Sequence, residues 1–101
     1  MKPAFAAWCR DAPGSGVPRR ERLAAHLAYV ETIMDRILLA GPLKDASGAV
    51  IGSLLVYDAA TAEEARALLE GDPYHVAGVW AETRIETFLP VAGTLVGGRN
   101  W

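Results

Sequence analysis

The stretch ILLAGPLKDASGAVIGSLLVY, residues 37–57, decides how this chain folds. Apolar residues dominate 37–43 and 50–57, and between them lies Lys44-Asp45-Ala46-Ser47-Gly48, a short polar segment ending in glycine. Two strand-like runs joined by such a segment predict an antiparallel hairpin. Pro42 lacks the N–H that a central strand needs, so the first of the two strands belongs at a sheet edge or a bend. Gly52, inside the second strand, marks a bulge or a close approach of backbone or ligand, because an interior glycine weakens a strand that does not require it.

Outward from the hairpin, the segment from Pro3 to Arg10 reads as a short apolar strand, stopped by the turn formers of Asp11-Ala12-Pro13-Gly14-Ser15-Gly16. Pro18 suits a first helical turn, and Leu23, Leu27, Val30 and Met34 recur at helical spacing, so a helix runs from about Pro18 to Arg36. After the hairpin, Thr61 is an N-cap with Glu64 completing a capping box. Ala65, Leu68 and Leu69 form a short apolar stripe, Gly71 stops the helix and Asp72-Pro73 opens a turn. Residues 79–89 then alternate as a strand, with Val79, Ala81, Ile85 and Leu89 on one side and Trp80, Glu82, Arg84, Glu86 and Phe88 on the other. The order is β-α-β-β-α-β. It predicts an α+β, ferredoxin-like domain over residues 1–91, with two helices on one face of a four-stranded antiparallel sheet. Residues 92–101 form a glycine-rich tail whose Leu95, Val96 and Trp101 suit docking on an apolar surface.

A chain of 101 residues holds one domain. Ten basic residues against twelve acidic ones, scattered along it, provide no footprint for nucleic acid. The run from Ala4 to Cys9 is too short for a signal-peptide core or a membrane span, and a lone cysteine makes no internal disulfide, so a cytoplasmic protein is expected. A hydrophobic fraction of 51% exceeds what one small two-layer domain hides comfortably. Trp8 and Phe88 alternate onto the sheet face without helices, and pairing two such faces would bury them, which predicts a homodimer.

Phosphate-binding glycine loops, the Gly-x-Ser-x-Gly elbow and paired histidines at metal-binding spacing are all missing from the sequence. What remains is His26 on the flank of the first helix and Asp72 just past the end of the second. A carboxylate meeting an imidazole at the rim between helices and sheet would fix its tautomer and make an acid-base pair. The structural alternative is a packed interfacial histidine beside an ordinary Asp-Pro turn. Ser53 can donate a hydrogen bond into a cleft with Gly52 beside it, and Gly41-Pro42 can shape the cleft wall. His75 belongs to a solvated turn, and Cys9 reads as a small apolar strand residue. Arg19, Arg20 and Arg22 form a basic group that is solvated or attracts an acidic substrate.

Taken together, Arg22-Leu23-Ala24-Ala25-His26-Leu27-Ala28-Tyr29, Ala40-Gly41-Pro42-Leu43, Gly48, Gly52-Ser53, Asp72-Pro73-Tyr74 and Ala77-Gly78 resemble the YciI-like, or YCII-related, family across residues 3–90. The resemblance implies a dimeric α/β barrel, with His26 and Asp72 as acid-base pair and Gly52, Ser53, Pro42 and Tyr74 around the substrate. Tyr74 stands where phenylalanine is common, and the tail has no family counterpart. One branch of the family removes chloride from a chlorinated hydroxyhydroquinone. The function expected is thus a cofactor-free, metal-free lyase or isomerase acting on a small molecule, possessing neither nucleic-acid nor membrane partners. Two alternatives stand beside it: a non-catalytic dimeric module that binds a small ligand or a protein, and haem or quinone handling with His26 as axial ligand.

Overall fold

Alternation along the first strand sets the architecture. In β1 (Ala4–Asp11), Phe5, Ala7 and Cys9 are buried while Trp8 and Arg10 at alternate positions are exposed, so one face is packed and the other open. The computed structural model describes residues 3–99, and Trp101 lies outside the described residues. Helix α1 (Gly16–Thr32) follows, then β2 (Ile37–Lys44) and β3 (Val50–Tyr57), α2 (Ala62–Glu70), a single-turn helix α3 (Pro73–Val76), and β4 (Trp80–Phe88). The four strands are antiparallel neighbours in the order β2-β3-β1-β4, the ferredoxin-like arrangement, and Pro42 sits on the edge strand. The hairpin of residues 37–57 therefore forms as its sequence requires. Three helices cover the sheet where two were expected, because Asp72-Pro73 starts a helical turn of its own.

The first helix is shorter than its apolar period suggests. It ends at Thr32 and tightens into a 3₁₀ turn over Met34–Arg36 before β2. The start of α2 is as predicted, with the Thr61 hydroxyl accepting from the Glu64 amide at 3.1 Å, but the Glu64 carboxylate reaches back to the amide of Ala60 at 3.0 Å.

Gly52 answers to backbone crowding. A Cβ there would lie 2.2 Å from the carbonyl oxygen of Cys9 on β1, a distance no side chain tolerates. Trp80 corrects the alternation predicted for the last strand. The register of β4 on β1 shifts between Arg10, which faces Glu82, and Asp11, which faces Trp80. That irregularity places Trp80, 7% exposed, in the core with Phe5, Leu55, Tyr57 and Leu69 instead of on the open face. On the open face Trp8, Leu39 and Phe88 remain 38%, 38% and 43% exposed.

Beyond β4 the chain forms a small ribbon, β5 (Ala92–Gly93) paired with β6 (Gly98–Arg99), and Leu95 at its tip is exposed. Among the described residues no helix is long and apolar enough to cross a membrane.

Candidate functional site

Helix α1 stands off the strands beneath it and leaves a cavity of about 270 Å³. Arg19, Leu23, His26, Leu27 and Val30 of α1 form its roof, Ala40, Gly41, Pro42, Ser53 and Leu55 of the hairpin its floor, and Tyr74 of α3 completes it. The roof is the helical stripe identified in the sequence, extended one turn back to Arg19. Leu23 and Leu27 are 47% and 51% exposed, so the stripe faces a cleft and not the sheet core.

At one end of the cleft the Asp-Pro-Tyr turn sets Asp72 against His26. Pro73 occupies the first turn of α3, where its missing N–H costs nothing, and the Asp72 carboxylate caps that turn by accepting from the Tyr74 amide at 2.8 Å. Asp72 is 1% exposed, and its two oxygens lie 2.8 and 3.0 Å from Nδ1 of His26. An ionised carboxylate only accepts, so Nδ1 carries the proton and donates it. Nε2 is then the basic nitrogen of the neutral ring and has no protein partner among the described residues. The Tyr74 ring stacks on the imidazole at 3.9 Å with 6° between planes, and Trp80 meets Tyr74 edge-on at 6.0 Å. Edge and face of the imidazole are both held, which fixes its orientation without occupying Nε2.

A polar wall rises elsewhere in the cleft. Arg19 binds Asp11 through Nε at 2.7 Å and Nη2 at 2.8 Å, and the same Nη2 donates to the Ser53 hydroxyl at 2.9 Å and the Gly52 carbonyl at 3.2 Å. The Asp11 carboxylate holds the guanidinium firmly in its charged form, against a smaller opposing effect of burial. Trp80 Nε1 donates to the same Ser53 oxygen at 3.3 Å.

The residues named from sequence thus fall into three groups. His26, Ser53, Pro42 and Tyr74 line the cavity, and Asp72 sits behind His26 as its orienting partner. Gly52 departs from its expected place at the ligand: it does not line the cavity, and its carbonyl anchors Arg19 instead. His75, in α3, is not part of the lining either, and Cys9 is fully buried, its thiol pushed up to about 12 by burial, with Asp72 and Asp11 adding to the effect. A thiol so held is no nucleophile near neutral pH. Trp80 is a residue that sequence reasoning missed, and Arg19 was named there only as one of a basic group that is solvated or attracts an acidic substrate. Arg19 precedes Leu23 by four positions and is in phase with the stripe, which is the signal that separates it from its solvated neighbours Arg20 and Arg22. No group of acidic, histidine or cysteine side chains suited to a metal ion occurs among the described residues.

The sequence model of the YCII-related domain matches residues 4–89. Among solved structures, 5-chloro-2-hydroxyhydroquinone dehydrochlorinase (TftG) of Burkholderia phenoliruptrix AC1100, in complex with 2,5-dihydroxybenzoquinone, is similar with 32% identity and a TM-score of 0.79, covering 90% of this chain and 96% of its own. A Mycobacterium tuberculosis protein, Rv0793, shares the fold at 16% identity and a TM-score of 0.50, covering 91% and 98% of the two chains. No functionally curated protein matches the chain by sequence.

Proposed function

The chain belongs to the YCII-related domain family, and on that premise we propose that the cleft under α1 is the active site of a lyase or isomerase acting on small hydroxylated rings, with dehydrochlorinase-like elimination as its leading form. The observation that carries this is the His26–Asp72 pair: a buried carboxylate holds Nδ1 and leaves Nε2 open in a cleft whose remaining walls are largely apolar. The similarity to TftG, a 5-chloro-2-hydroxyhydroquinone dehydrochlorinase, supports the reaction class.

In this mechanism Nε2 of His26 takes a proton from an acidic O–H or C–H of the ring. With that proton returned to the ring carbon that bears the leaving group, loss of a second, conjugated O–H proton forms a new π bond and expels an anion such as chloride, so the net loss is HX and no oxidant is consumed. Returning the proton to another carbon gives isomerisation instead. Asp72 stays ionised, orients the imidazole and stabilises the imidazolium that forms. The Ser53 hydroxyl and the charged Arg19 behind it stabilise negative charge that develops on a ring oxygen. No step requires a cofactor. A second copy packed on the open face would cover Trp8, Leu39 and Phe88, and sedimentation at micromolar concentration tests that dimer, a clean monomer opposing it.

The test of the reaction is chloride release from a panel of chlorinated hydroxyhydroquinones. His26→Ala and Asp72→Asn are expected to lower kcat by about 10²–10⁴-fold, with circular dichroism unchanged. The asparagine variant can donate to Nδ1, which moves the ring proton to Nε2 and removes the base. Tight binding without turnover by the unmodified protein would favour the non-catalytic ligand-binding module.

A further inference from the structure

Ser53 is surrounded by donors. A serine oxygen has two lone pairs and one proton. Here Arg19 Nη2 at 2.9 Å and Trp80 Nε1 at 3.3 Å both donate to it, and no described protein group accepts from it. Neither partner can reverse its role, since a guanidinium and an indole N–H only donate. The hydroxyl proton is left with one direction to go, and Ser53, 7% exposed, lines the cavity. Arg19 is itself held by both oxygens of Asp11 and by the Gly52 carbonyl, while Trp80 is buried in the core, so neither donor is free to swing away.

We propose that Ser53 is a specificity-determining residue, locked by Arg19 and Trp80 as a hydrogen-bond donor, so that the cleft selects a ring bearing an acceptor-only oxygen, a quinone carbonyl or an enolate, over the same ring bearing a neutral hydroxyl. A neutral hydroxyl at that position can accept the Ser53 proton but cannot give its own to an oxygen whose lone pairs are occupied, so its proton lacks a partner on this wall of a buried site. An anionic or carbonyl oxygen accepts the Ser53 proton and also benefits from the guanidinium behind it. For an elimination that turns a hydroxylated ring into a quinone, this wall favours the oxygen that has lost its proton. Trp80 does not line the cavity and acts through Ser53, as a positioning residue.

The inference rests on the proposal that the cleft binds small oxygenated rings, and its test separates the two. Anaerobic titration calorimetry is carried out with 2,5-dihydroxybenzoquinone, whose oxygens only accept once it is ionised at neutral pH, and with 1,2,4,5-tetrahydroxybenzene, its reduced counterpart of the same shape. The unmodified protein is expected to prefer the quinone. Ser53→Ala should weaken quinone binding about tenfold and leave the reduced ring within about twofold, collapsing the preference. Trp80→Phe, which keeps the aromatic packing but frees one lone pair of Ser53, should lower the preference by a smaller factor. Equal weakening of both rings in Ser53→Ala, or an unchanged preference in Trp80→Phe, overturns the lock while leaving catalysis by His26 intact. Failure of the unmodified protein to bind either ring overturns both proposals.

Discussion

Helices α1 and α2 lie on the same face of the sheet and each carries an apolar stripe, yet they are attached in opposite ways. Helix α2 buries Ala65 and Leu69 completely. Helix α1 buries none of its residues and is pinned by polar contacts along its length: Arg19 to Asp11, His26 to Asp72, and the Tyr29 hydroxyl to the carbonyl of Leu68. Just past its end, Arg36 pairs with Glu64 in the first turn of α2. Apolar burial is non-directional and closes every gap it can, whereas hydrogen bonds fix a helix at a set distance. Pinning α1 this way is what keeps a cleft open beneath its leucines.

The largest expected effect breaks the comparison if it is wrong. Leu69→Ala removes a fully buried side chain and should cost about 2–5 kcal/mol in denaturant unfolding. Leu27→Ala, at the half-exposed roof of the cleft, should cost under about 1 kcal/mol while weakening ligand binding. Equal losses at the two sites would mean that the stripe of α1 is core and that no cleft opens in solution. A smaller change sharpens the account of the pins. Tyr29→Phe deletes the donor to the Leu68 carbonyl, a bond of 2.6 Å, and should cost about 1 kcal/mol. Because that hydrogen bond ties the last turn of α1 to the end of α2, ligand affinity should fall with it as the roof loosens.

Sequence made the local features legible and left the faces obscure. Thr61, Gly71, Pro42 and the hairpin turn act within a few residues of themselves, so their meaning survives without a fold. The stripe of Leu23, Leu27 and Val30 shows that α1 has a face but not what lies opposite, and the same periodicity serves a core or a cavity roof. Trp80 was assigned to the wrong side because a bulge set by pairing with Asp11, some seventy positions away in the chain, resets the alternation. His26 and Asp72 stood out as the residual titratable pair, and their 2.8 Å contact depends on α3, a turn too short for any periodic signal. Arg19 was hidden in a basic cluster, although its phase with Leu23 placed it on the cleft face.

The smallest effect concerns the outermost pin and can be read from pH. Hydrogen bonding to Arg36, then to the Ala60 amide, holds the Glu64 carboxyl below its ordinary range. The folded state therefore binds this proton less tightly than the unfolded chain does. The resulting stabilisation is complete above the unfolded value of 4.5 and fades as pH falls through the lower folded value. Asp45 in the hairpin turn is lowered in the same sense, chiefly by the Ser47 hydroxyl, so the acid limb of the stability curve draws on more than one element. Glu64→Gln and Asp45→Asn should each flatten that limb in part. Both carboxylates are solvent-exposed, so the Glu64 share should shrink as salt is raised. If Glu64→Gln instead loosened ligand binding as strongly as Tyr29→Phe, the position of α1 would be governed from its C-terminal end, and the central pins would be its consequence.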